Sequence, residues 1–85
     1  MSRTGLKNSL KVRRAMLDLT QQQLADLVGV SRKSINAIEG NRFVPSTVIA
    51  LKLAKVLGVP VEEIFRLDQG NSAWRRFDNP RDEAP

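Results

Sequence analysis

The sequence contains no cysteine and no histidine, and it has a single tryptophan in 85 residues. Without cysteine there is no disulfide, no thiolate nucleophile and no zinc–thiolate site. Without histidine there is no imidazole general base. Most small-enzyme chemistries depend on one or the other. Nothing replaces them: no carboxylate pair stands in a recognisable catalytic setting, no glycine-rich phosphate loop is present, and Ser31 and Ser34 have no neighbouring base to activate them. The expectation is a protein that is not an enzyme, with no metal, no cofactor and no small-molecule ligand.

Long hydrophobic runs are also missing. No stretch approaches the roughly 18 apolar residues of a membrane span, and Met1-Ser2-Arg3-Thr4-Gly5 leads into a polar segment, not a signal-peptide core. A cytoplasmic protein with no membrane partner is expected, which the lack of cysteine fits. A chain of 85 residues builds one hydrophobic core and a short appendage.

What the chain has in excess is positive charge. Lysine and arginine number 14 against 9 aspartates and glutamates, a net charge of +5. The excess is not evenly spread. Residues 1–45 carry eight basic side chains against Asp18, Asp26 and Glu39, residues 46–67 come to +1, and residues 68–85 to −1. A polyanionic partner for the first half is the leading expectation.

Apolar spacing reads as helix throughout. Leu6, Leu10 and Leu17 share one face of a first helix over about residues 7–17. Thr20 and Gln23 form a capping box ahead of Leu24, Ala25 and Val28, and Gly29 stops that second helix. Ser31 caps a third helix from Arg32 to Glu39, which ends at Gly40-Asn41. Pro45-Ser46 opens a fourth, with Val48, Ile49, Leu53, Ala54 and Leu57 as its apolar positions and Gly58 as its exit. Pro60 opens a short fifth, with Glu62 and Glu63 at the positive end of the dipole and Ile64, Phe65 and Leu67 turned inward. No segment alternates as a strand. The predicted fold is all-α, a compact five-helix domain over residues 1–67. The remainder, 68–85, reads as a tail in which Trp74 and Phe77 are candidates for docking on the domain or on a second subunit, with a disordered distal part.

Two positions in the first half point to specific roles. Arg14 falls four residues after Leu10 and three before Leu17, on the apolar stripe of the first helix, where a cation needs a partner. Glu39 lies on the inner edge of the third helix, one residue after Ile38, so the two are predicted to form a structural ion pair. With Ile35 and Ile38 facing inward, Lys33, Asn36 and Ala37 face outward and Arg32 flanks them at the helix start. Two cations in a first helical turn oppose the dipole, a choice that hints at a ligand.

Gly29-Val30-Ser31 joins the second and third helices in a turn that makes two short helices cross steeply, and the small Ala25 lets them approach. Gln21, Ala25, Gly29, Ile35 and Glu39 within TQQQLADLVGVSRKSINAIEGNR resemble the helix-turn-helix of the phage repressor and Cro family, also called Xre-like regulators. The resemblance runs from about Asn8 to Phe65, about two-thirds of the chain, and takes in the ending GVPVEEIF.

It implies a repressor-type DNA-binding domain whose third helix enters the major groove with its N-terminal residues on base edges. Carried over by position, Arg32, Lys33, Asn36 and Ala37 are the base-contact candidates, and Gln21 matches a phosphate-gripping residue. Ser31, Asn41, Arg42, Thr47 and either Lys7 or Lys11 on the first helix are further phosphate candidates around that helix. The family also carries a buried arginine and glutamate at the positions of Arg14 and Glu39.

The implied function is a sequence-specific regulator of transcription that binds double-stranded DNA, acting as a repressor and homodimer on a palindromic operator. The alternative is a protein-interaction module, antitoxin-like or adaptor, on the same fold; the outward cations argue against it. One departure stands out: the loop after the third helix reads Gly40-Asn41, where the commoner family order is Asn before Gly. The inversion shifts which residue takes the positive φ.

Overall fold

The three central helices begin where the sequence supplies a side-chain oxygen and stop where it supplies a residue able to turn left-handed. In the computed structural model, which describes residues 4–68, α1 spans Leu10–Met16, α2 Gln21–Val28, α3 Arg32–Glu39, α4 Thr47–Leu57 and α5 Val61–Ile64. The tail assignments on Trp74 and Phe77 lie outside the described residues. Thr20 Oγ1 accepts from the Gln23 amide at 3.0 Å while the Thr20 amide donates to Gln23 Oε1 at 2.8 Å, the reciprocal box that starts α2. Ser31 and Ser46 receive the amides of Ser34 and Ile49 and cap α3 and α4. Gly29 (φ 83°) and Gly58 (φ 71°) end α2 and α4 in the left-handed region. At the end of α3, Gly40 has an ordinary φ of −81° and Asn41 takes the positive φ of 61°.

Each helix contributes at least one side chain to a single core: Leu10 from α1, Leu24, Ala25 and Val28 from α2, Ile35 and Ile38 from α3, Leu53 and Leu57 from α4, and Ile64 from α5. Fully burying such a large apolar side chain contributes about 1.5–3 kcal/mol. Ala25 is completely buried where α2 packs on α3, so its small side chain sets how closely the two helices approach.

The fold departs from the all-α expectation. It is mostly helical, but Leu6–Asn8 forms a strand, β1, that pairs antiparallel with β2, Phe65–Leu67; Leu6 stands opposite Leu67, Lys7 opposite Arg66 and Asn8 opposite Phe65. Bonds from Ser9 N to Ile64 O (2.9 Å) and from Asp68 N to Gly5 O (2.8 Å) extend the ladder at both ends. The first helix therefore starts at Leu10, not near residue 7. Asn8 makes the change of direction: its Oδ1 accepts from Leu10 N at 3.1 Å, and its Nδ2 donates to Ile38 O at 3.0 Å. Of the three leucines assigned to one helical face, only Leu10 is buried; Leu6 lies in the strand, and Leu17 is exposed just past the end of α1. Val48 and Leu67, expected in the core, are also exposed. Among the described residues no helix is long and apolar enough to cross a membrane.

Candidate nucleic-acid interface

Buried Ile35 and Ile38 fix the rotation of α3 and leave Arg32, Lys33 and Asn36 exposed on the opposite side, with Ala37 half-buried beside them. Behind that face lies the ion pair. Arg14 Nε is 2.6 Å from Glu39 Oε2, Arg14 Nη2 reaches Glu39 Oε1 at 3.3 Å, and Arg14 Nη1 donates to Leu19 O at 2.6 Å. The side chains are 14% and 5% exposed, so each charge depends on the other for its compensation. The pair ties α1 to the inner edge of α3 and cancels the charge of Glu39.

From Glu39 a polar chain leads outward. Gln21, at the start of α2, donates its Nε2 to Glu39 Oε1 at 3.1 Å. Its Oε1 faces the α3 surface, with Asn36 Nδ2 and Arg32 Nη1 each 3.5 Å away. Arg42, past the end of α3, folds back and donates from Nη2 to Asn36 Oδ1 at 2.6 Å. Lys11, Gln21, Asn36, Glu39, Gly40 and Arg42 line one open cleft where α1, α2 and α3 meet. Because Glu39 is already paired with Arg14, Lys11 and Arg42 leave this cleft positive. It offers charged N–H donors and a side-chain amide to an oxyanion.

The remaining sequence candidates are distributed differently. Ser31 uses its Oγ to accept the Ser34 amide and lies 3.1 Å from Ser34 Oγ, so it acts as the cap of α3. Asn41 has its side chain engaged within the fold. Its Nδ2 donates to Leu6 O at 2.7 Å, and its Oδ1 accepts from Thr4 Oγ1 at 3.2 Å and Asn8 Nδ2 at 3.3 Å. Its amide ties β1 to the turn after α3. Lys7, expected on the first helix, instead lies on β1 and lines a separate cleft with Arg13, Glu63 and Arg66. Thr47 is exposed in the first turn of α4 but borders an apolar groove with Leu6, Val44, Leu51 and Phe65. The structure thus groups Gln21, Arg32, Asn36 and Arg42 with Lys11, of the two lysines expected on the first helix, and leaves Lys7, Asn41 and Thr47 outside that group. Gly40 entered the sequence argument as a helix stop and as half of the inverted Gly40-Asn41 order, because nothing in its one-letter context shows what lies over its Cα.

Comparison with known proteins follows the same outline. A helix-turn-helix family model matches residues 10–64. The chain is 50% identical over 60 residues to an uncharacterised helix-turn-helix-type transcriptional regulator of Methanocaldococcus jannaschii, covering 71% of this chain and 91% of that one. It is 38% identical over 66 residues to the uncharacterised regulator YgzD of Bacillus subtilis, covering 78% of this chain and all of YgzD. Among solved structures it is similar to the restriction-modification controller protein C.AhdI of Aeromonas hydrophila, with a TM-score of 0.60 and 33% identity over 64% of this chain and 82% of that one.

Proposed function

The chain belongs to the Xre-like helix-turn-helix family of transcriptional regulators, and from that premise we propose that α2 and α3 are its helix-turn-helix and that residues 1–67 read a specific double-stranded DNA site. In this reading α3 lies in the major groove. Arg32 and Lys33 donate to guanine O6 and N7, and the Ala37 methyl meets a thymine methyl. Gln21, Lys11 and Arg42 hold the flanking phosphates. Backbone amides at the start of α2, beside Gln21, add donors for anions. The likeness to C.AhdI, named as a restriction-modification controller protein, supports a regulatory role. Repression follows from occupancy, since a helix seated in the groove of an operator excludes other proteins from it.

We further propose a homodimer on a palindromic site. The apolar groove bordered by Leu6, Val44, Leu51 and Phe65, with Val48 exposed on the same helix α4, supplies unpartnered apolar area of the kind a two-fold interface buries.

The observation that carries the DNA reading is the polar chain itself. A buried, neutralised pair holds Gln21, and Gln21 stands against an exposed helix face that carries two cations and no large apolar side chain. A fluorescence-anisotropy titration of labelled duplex against salt tests it. The apparent affinity falls linearly on a log–log plot with a slope of about −0.9 per phosphate neutralised. Arg32→Ala relaxes the preference at one base pair and costs about 1–3 kcal/mol there. A flat salt response replaces the DNA reading with the protein-interaction module.

A further inference from the structure

The end of α3 holds a glycine that the backbone does not require. Gly40 has a φ of −81°, open to any residue, and the left-handed position that needs tolerance falls on Asn41 instead. What Gly40 provides is room. A Cβ built on it would stand 2.5 Å from Arg42 Nη1 and 3.0 Å from Arg42 Cζ. The Arg42 guanidinium lies over the bare Cα, and this lets its Nη2 reach Asn36 Oδ1 at 2.6 Å, with Asn36 O at 3.5 Å.

Asn36 has a partner at each end of its amide. Its Oδ1 accepts from Arg42, and its Nδ2 stands 3.5 Å from Gln21 Oε1. To read adenine, an asparagine must present a free oxygen to N6 and a free N–H to N7. Here one lone pair of the oxygen accepts from a cation, in a charge-assisted bond stronger than a neutral one that turns the amide toward Arg42. The same bond keeps Arg42 beside Lys11 and Gln21 instead of extended into solvent. A long, flexible cation held in place loses less rotamer entropy when it meets its ligand.

We propose that Asn36 and Gly40 are positioning residues for Arg42, and that Lys11, Gln21 and the Arg42 they place form one seat for a single backbone phosphate of the bound duplex. Asn36 thereby leaves the base-reading set, and the inverted Gly40-Asn41 order gains a reason. Glycine at 40 clears the space for the guanidinium, and asparagine at 41 turns the chain and ties down β1. The inference rests on the DNA reading of the same face.

A double-mutant cycle tests it. The full-length protein is titrated against one tight-binding duplex and a panel of its single-base variants at several salt concentrations, and each variant's thermal melt confirms that it is folded. Arg42→Ala makes the salt slope shallower by about 0.9, the share of one phosphate. Asn36→Ala and Gly40→Ala each lower affinity roughly 3- to 10-fold for every duplex in the panel alike. In the Arg42→Ala background neither has a further effect, because the group they place is gone. If Asn36→Ala alters preference at one base pair, or if either loss persists in full on top of Arg42→Ala, the positioning role is overturned while the DNA reading stands. If the wild-type chain binds no duplex, both fall together.

Discussion

At the scale of single residues, Arg14 and Glu39 show how a charge read as misplaced becomes a constraint on the fold. Both side chains are largely withdrawn from water, and Arg14 donates to both Glu39 oxygens and to Leu19 O. Deleting one member of such a pair leaves the other buried without compensation, which costs about 3–5 kcal/mol. Arg14 keeps some solvent and its carbonyl partner, so Glu39→Ala falls at the lower end, about 3 kcal/mol. For a domain of this size that lowers the melting temperature by roughly 12–24 °C. The double change Arg14→Met, Glu39→Leu removes both charges and recovers most of the loss, because apolar replacements of similar volume are tolerated where a lone charge is not. Calorimetry on the two variants checks it. A double mutant as unstable as Glu39→Ala would mean that packing, not charge, is what the pair supplies. Gln21 adds a functional reading: without Glu39 its Nε2 loses its acceptor, and its amide is no longer aimed at the α3 face.

At the scale of elements, the helices were legible because their signals are local. A capping box, two capping serines and two left-handed glycines sit within a few residues of the structure they specify, and all of them act as such. The ion pair was legible for a related reason, since two helical periodicities point both charges inward. The sheet was not. β1 and β2 have three residues each, too few to show an alternation of period two, and their partners lie at opposite ends of the described chain. The contacts of Asn41 and Gly40 were not legible for the same cause: the loop's residue types were visible, but the strand that Asn41 binds and the guanidinium that Gly40 admits arrive from elsewhere.

The sheet also makes its own prediction. Lys7 and Arg66 are directly opposite on adjacent strands, so their side chains share a face and repel. Lys7→Glu converts the pair to opposite charges and stabilises the domain by a few tenths of a kcal/mol, the low end for an exposed pair. Lys7 lies outside the cleft of Gln21 and Arg42, so the change leaves duplex affinity within about two-fold and the salt slope intact. A slope shallower by about 0.9 would return Lys7 to the phosphate contacts.

At the scale of the whole molecule, the net charge of +5 resolves into an asymmetric object. Arg14 is spent inside and Arg13 stands 3.8 Å from Glu63, while Arg32, Lys33, Lys11 and Arg42 gather around one helix and its border. The apolar groove at Leu51 and Phe65 is lined by other residues altogether, so one copy can grip DNA while another face meets a second copy. A two-fold dimer of such domains places its two recognition helices about one helical turn of DNA apart, about 34–36 Å or 10–10.5 base pairs, or a multiple of it. Selection of bound duplexes from a random pool therefore returns an inverted repeat with that spacing between half-site centres. Repeating the selection with a chain ending after Asp68 separates the parts. The same half-sites at the same spacing place both DNA reading and dimerisation within residues 1–67; the same half-site without a partner places dimerisation in the segment that holds Trp74 and Phe77. Recovery of no preferred sequence by the full-length chain would remove sequence-specific recognition from the proposed function.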